Sequence, residues 1–319
     1  MLVALALFAA APGVDAWAAK THRKATSDAF YIMPPAFRAW LGAPAVPTRE
    51  YPPCLQSILT ACTEPDSVLH DFMNHVYHVH GEKMGNGPSH VESLAKELVN
   101  DIKHRAPAAV IRQKLGWLAH YCEDLAQPLH TGVATWDGIE EKSYHMAYEK
   151  DVDDTVYMYG VAFDGAQYTS RVGARMVYEA LWANQYYEII ERAYSAPDGH
   201  ELIQAKSATA AAYSRAVNNV VDIWYSVWVA AGGKANPKQD GQPRYYPPYW
   251  SYFSAPANTA TRVSLNKASL SQLMTVPGVG EKLAAEIIAR RPFKCVEELI
   301  KVKGVSVTLY RKISARFSL

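Results

Sequence analysis

The chain has 319 residues, enough to bury a sizeable core and to form one large domain plus a small one. An apolar share of 49% and a charged share of 20% are ordinary for a globular protein, and a formal charge of +1 by itself names no partner. The distribution says more: residues 260–319 carry eleven Lys/Arg against four Glu, so a small basic tail follows a mildly acidic body.

The chain opens with MLVALALFAAAPGVDA and then Trp17. A short apolar run ending in small residues, with Val14 and Ala16 at the cleavage positions, predicts a signal peptide over 1–16, although no Lys or Arg precedes Lys20. The run is too short to span a bilayer, and no later stretch is long and apolar enough to do so. A secreted or periplasmic location follows. Four cysteines are compatible with an oxidising compartment but do not make a disulfide scaffold, and Cys54 and Cys62 are close enough in sequence to pair.

From Trp17 to about Ala231 the sequence reads as mostly helical, with apolar residues at three- and four-residue spacing in 91–103, 107–126, 139–158, 171–195 and 201–230. No convincing run of strand alternation occurs. Residues 232–262 form a Gly/Pro/Asn-rich linker interrupted by Tyr245, Tyr246, Tyr249, Trp250, Tyr252 and Phe253. Those rings suit packing of the linker onto the domain, base stacking or a lipid interface. Residues 263–319 form a second unit of two similar pieces, each with a helix, a Gly-containing hairpin and another helix.

The chemistry concentrates in HYCEDLAQPLH and YHMAYE. His120 and Asp124 stand at i and i+4, on one face of a helix, and Pro128 ends that helix before His130. His145 and Glu149 repeat the spacing on another helix. Imidazole nitrogens and carboxylate oxygens in this number suit zinc.

HxxxDxxxxxH followed by HxxxE resembles the zinc-dependent phospholipases C and the single-strand-specific nucleases, a superfamily of helical proteins with three zinc ions. The resemblance covers about 17–230. It implies a mature N-terminal tryptophan, here Trp17, whose amine and carbonyl bind metal, then His22 five residues on, and an Asp followed by a His. EPDSVLHDFMNHVYHVHG offers Asp66 and then His70, His75, His78 and His80; the family spacing fits His78 best and His80 nearly as well. By position, Asp66, His78, His120 and Asp124 would hold one zinc, and His130, His145 and Glu149 a second. Trp17, His22 and the bridging Asp124 would hold a third. Asp66 would also orient the attacking water or take its proton as the catalytic carboxylate. Glu149 and the short His130–His145 interval are closer to the phospholipases, the Trp17–His22 spacing closer to the nucleases.

The tail, through PGVGEK and KGVSVT, resembles the double helix-hairpin-helix module of bacterial competence DNA receptors. Gly278 and Gly280 would let backbone N–H groups face a phosphate, with Lys282, Arg290 and Arg291 among the surrounding positive charges. Ser306 stands where a second hairpin would have glycine, so that half would be structural.

The expected fold is therefore all-α: a zinc-dependent phospholipase C/nuclease-like domain over 17–231, a linker over 232–262, and a helix-hairpin-helix domain over 263–319. The function this supports is zinc-dependent phosphodiester hydrolysis, with nucleic acid as the partner of the tail. Phospholipid is the alternative substrate, and a DNA-binding or uptake protein with a structural zinc cluster is the reading from another class.

Overall fold

The computed structural model describes residues 17–44, 50–80, 85–132, 139–195, 202–248, 263–306, 309, 310 and 313–319. The signal-peptide segment 1–16 and the rings of Tyr249, Trp250, Tyr252 and Phe253 lie outside them. Contacts divide the chain into two compact units, Met1–Ala43 with Pro53–Tyr245, and Pro44–Pro52 with Tyr246–Leu319.

The first unit is helical. In chain order it holds α1 (Ala19–Ile32), α2 (Pro35–Trp40), α3 (Pro53–Ala61), α4 (Gly87–Lys103), α5 (Ala108–Asp124), α6 (Ile139–Thr155), α7 (Val172–Asn184), α8 (Tyr187–Ser195), α9 (Leu202–Ala230) and the single turn α10 (Pro237–Asp240). Helix α5 packs against α1, α3, α4 and α9, and so lies at the centre. Its buried Ile111, Leu115, Leu118, Ala119 and Cys122 recur at helical spacing, as do Val91, Leu94, Ala95 and Leu98 on α4. Trp224 on α9 is fully buried against Phe37 and donates its indole N–H to the Leu115 carbonyl at 3.1 Å.

Gly116 lets α5 approach α3 closely. A Cβ there would lie 2.6 Å from the Ala61 Cβ, 2.7 Å from the Ile58 oxygen and 2.8 Å from the Cys62 nitrogen. Cys54 and Cys62 do not pair; both are buried and free. Eight positions of helical rise separate them by about 12 Å, beyond the roughly 7 Å that a disulfide spans.

Two departures from the all-helical reading are local. The apolar run 171–195 breaks into α7 and α8, and Val161–Phe163 forms a strand, β1, that pairs with Arg244–Tyr246, β2. The first part of the expected linker is thus ordered: the Ala166 N–H donates to the Asp240 carbonyl at 3.0 Å, and the Tyr225 hydroxyl to its carboxylate at 3.3 Å. Among the described residues, no helix is long and apolar enough to cross a membrane.

The second unit holds α11 (Leu270–Met274), α12 (Glu281–Ala289) and a 3-10 segment (Val296–Lys301). Ser269 and Gln272 form a reciprocal capping box that starts α11. Strand β3 (Val263–Ser264) pairs in parallel with β4 (Phe317–Ser318) and closes the unit's two ends together. Leu265, Leu273, Ala284, Ile287, Leu299, Tyr310, Ile313 and Phe317 form its core.

Candidate metal centre

Six structural segments deliver donors to one buried cluster in the first unit. Helix α1 carries His22; a π turn, Pro65–Leu69, carries Asp66; a 3-10 turn, Phe72–Asn74, ends at His75. Helix α5 carries His120 and Asp124 in its last two turns, the 3-10 turn Pro128–Thr131 carries His130, and α6 carries His145 and Glu149. Pro128 forces Gln127 into extended backbone, at φ −81° and ψ 118°, which swings His130 back towards the end of α5.

Three groups of donors result: His22, His120 and Asp124; Asp66, His75 and His120; and His130, His145 and Glu149. Asp124 joins them. Its Oδ2 lies 2.9 Å from His75 Nδ1 and 3.1 Å from His120 Nε2, while Oδ1 lies 3.3 Å from His22 Nε2 and 3.9 Å from His130 Nδ1. Each carboxylate oxygen thus faces a different set of imidazoles. An imidazole nitrogen has one lone pair, so His120 Nε2 serves a single ion. His75 and His120 Nε2 share the Asp66 side, where Asp66 Oδ1 is 3.4 Å from each.

The far nitrogens of four of these rings are already engaged. His22 Nδ1 meets Glu123 Oε2 at 2.6 Å, and His75 Nε2 meets Asp71 Oδ1 at 3.0 Å. His120 Nδ1 faces the Cys62 carbonyl at 2.8 Å and His130 Nδ1 the His75 carbonyl at 3.1 Å. Such contacts fix tautomer and ring orientation and leave the opposite nitrogen for a metal. Gln127 lies 3.0 Å from both His145 Nε2 and Glu149 Oε1.

Whether a metal fits can be read from the atoms left over. His22 Nε2, Asp66 Oδ1 and Asp124 Oδ1 are buried with no hydrogen-bond partner, an arrangement costly in a finished protein core. Tetrahedral zinc with bonds of about 2.0–2.1 Å spaces its donors about 3.3–3.4 Å apart, close to the separations here. The residues fit zinc.

Burial works against the Asp124 charge, yet His120 and His22 hold its carboxyl well below the ordinary range. Burial likewise opposes ionisation of Asp66 and Glu149, and the histidines beside each outweigh it. Burial and His120 pull His22 down, but Asp124 and Glu123 raise it to about 9. Burial lifts Glu123 above the usual carboxylate value despite His22.

The histidine beside Asp66 is His75, where the sequence favoured His78 or His80. The N–H groups of Tyr77 and Val79 donate to the carbonyls of His130 and Thr131, at 3.1 Å each, which runs this stretch along the 3-10 turn. His78 lies instead near His130 and His145, and burial together with their charges lowers its pKa. His80 is exposed. The signal that marks His75 is Asp71, four residues before it. Glu123, Asp71 and Gln127 were not read from sequence as parts of the site. Trp17 is buried, stacks on Tyr213 at 6.2 Å, and shares a small recess with Thr21, Tyr148, Glu149 and Val152.

In the second unit Gly278 has φ +97° and Gly304 +93°, the left-handed backbone that each hairpin needs. Gly280 caps α12, with open space where a side chain would be. Lys282 and Arg290 are exposed. Arg291 is spent inside the unit: its guanidinium donates to the carbonyls of Leu265 and Ala268. Ser306 caps its own turn, accepting from the Leu309 N–H at 3.1 Å.

Fold and site together describe an all-α protein with a buried multi-histidine, multi-carboxylate cluster and a helix-hairpin-helix tail, in agreement with the resemblance read from ligand spacing. The helix-hairpin-helix motif family matches residues 258–318. Among solved structures, alpha-toxin of Clostridium perfringens, isolated from avian strain SWCP, matches with TM-score 0.50 and 12% identity, over 70% of this chain and 66% of that one. At that identity the likeness is one of fold. Alpha toxin from Clostridium absonum aligns with TM-score 0.46 and 15% identity, over 71% and 67%. Two curated proteins, both named endonuclease/exonuclease/phosphatase family domain-containing protein 1, from Rattus norvegicus and Mus musculus, are 39% identical over 56 residues. That stretch is 16% of this chain and 10% of each relative, so the chain spans about a tenth of their length.

Proposed function

We propose that the first unit is a zinc-dependent phosphodiesterase with three ions, and that the chain acts on nucleic acid brought to it by the second unit. The observation that carries the metal reading is Asp124, whose two oxygens face separate imidazole sets while one of them has no hydrogen-bond partner. Bound zinc supplies Lewis acidity and lowers the pKa of a coordinated water to about 7. Asp66, with 11% of its side chain exposed and its carboxyl held ionised, is the group that orients the attacking water and accepts its proton. Attack at phosphorus breaks the P–O bond to the leaving alcohol. His22, His75, His120, His130, His145 and Glu149 hold the ions, and Trp17 completes the His22 site if the mature chain begins there. N-terminal sequencing of the exported protein tests that start and the secreted or periplasmic location.

Phospholipid is the second reading, favoured by the alpha-toxin-like fold. Hydrolysis of single-stranded DNA and of phosphatidylcholine vesicles by the zinc-loaded protein separates the two. The comparison includes the full chain carrying Lys282→Ala and Arg290→Ala. DNA cleavage that weakens in that variant supports the nuclease; lipid cleavage indifferent to it makes this a phospholipase C. Hydrolysis of neither by zinc-loaded protein that still binds the DNA supports the non-catalytic DNA-binding reading.

A further inference from the structure

Glu123 is fully buried, adjacent to the bridging Asp124, and meets the edge of the His22 ring opposite the one that Asp124 faces. Its Oε2 contacts His22 Nδ1 at 2.6 Å, and its Oε1 accepts from the Thr26 hydroxyl at 2.8 Å. His22 and Thr26 are one turn apart on α1, so both carboxylate oxygens are used by the same face of that helix. The opposite nitrogen, His22 Nε2, is buried without a hydrogen-bond partner, 3.3 Å from Asp124 Oδ1. A buried carboxylate is expensive, and an apolar residue would join α1 to α5 as well. A carboxylate at Nδ1 favours a proton there, so that Nε2 is the nitrogen that would give up its proton to a metal ion.

We infer that Glu123 is a positioning residue that fixes His22 as an Nε2 metal ligand and thereby sets the affinity of the ion held between His22 and Asp124. This inference rests on the metal reading above. The contact does two things at once. It selects the tautomer in which Nε2 is free, and it makes that nitrogen a stronger donor by placing a negative charge behind the ring. It also orients the ring, which stacks on His120 at 4.0 Å between centroids and so has little freedom to turn.

The test is zinc titration of the full chain against a competing chelator, for the wild type, Glu123→Gln, Glu123→Asp and Thr26→Val. Outer-contact substitutions of this kind cost about 10–100-fold in metal affinity. Glu123→Gln is expected to weaken one zinc by that factor and to leave the others, with partial recovery in Glu123→Asp. Thr26→Val, which removes the other partner of Glu123, is expected to keep all affinities. A role limited to joining α1 and α5 predicts equal affinities in all four proteins, and that outcome overturns the inference. Nitrogen-15 NMR of the zinc-loaded wild type needs no variant to fold: His22 protonated at Nδ1 and metal-bound at Nε2 is required, and the reverse overturns it. Wild-type protein that takes up no zinc refutes the metal reading itself, a result distinct from either.

Discussion

Replacing Asp124 by Asn keeps the shape of the side chain while removing the charge and one strong donor oxygen. Both oxygens of Asp124 are in use, Oδ2 towards His75 and His120 and Oδ1 towards His22, so the substitution strikes two ion positions and spares that of His130, His145 and Glu149. An ion that binds only the folded state, at a thousandfold excess over its Kd, adds about 4 kcal/mol to stability. The three ions proposed would add about 12 kcal/mol, and the variant would forfeit about 8 of it. For a domain of this size, 1 kcal/mol moves Tm by about 2–4 °C, so the zinc-dependent rise should shrink by about two thirds, or some 15–30 °C. Calorimetry with and without zinc measures the rise, and elemental analysis counts the ions. An Asp124→Asn protein that keeps three ions and the full rise refutes the bridging role.

Other expectations follow from single contacts. His75→Ala should lose zinc while His78→Ala retains the full complement, measured as metal content after dialysis. Zinc affinity should climb with pH between about 7 and 9, because the ion must displace a proton that His22 holds up to about 9; a flat profile in chelator competition would count against His22 as ligand. Gly116→Ala should cost about 1–3 kcal/mol in denaturant unfolding, since its Cβ meets backbone of α3 at 2.7 and 2.8 Å that cannot move aside cheaply. Lys282→Ala should lower the salt slope of DNA binding by about one. Arg291→Ala should leave that slope alone and melt the second unit earlier, having removed two internal hydrogen bonds worth about 1.5–3 kcal/mol each.

The grouping of His120 with Asp124 on α5, and of His145 with Glu149 on α6, was legible because helical spacing converts position into geometry: four residues apart means one face. His130 was legible through Pro128, which sets the chain direction. The span from Asp66 to His75 was not, since a π turn and a 3-10 turn lie between them and neither has a period that sequence spacing reveals. Glu123 escaped notice for another reason. It follows three residues after His120 and reads as a solvent-facing charge, and only the docking of α1 makes it interior. Arg291 shows the converse: one of two adjacent arginines in a basic tail reaches inward, and composition cannot say which.

None of the four cysteines is in a disulfide, so among the described residues no covalent cross-link joins distant parts of the chain. An ion held by His22 and Asp124 would close a loop of about 100 residues, and a cross-link of that length removes unfolded-chain freedom worth about 4.7 kcal/mol in the disulfide analogue. The protein would then carry its long-range ties as coordination bonds. Reductants would leave it intact, whereas chelators and acid would open it, and the centre that performs the chemistry would also be the fastener protecting the chain from proteolysis.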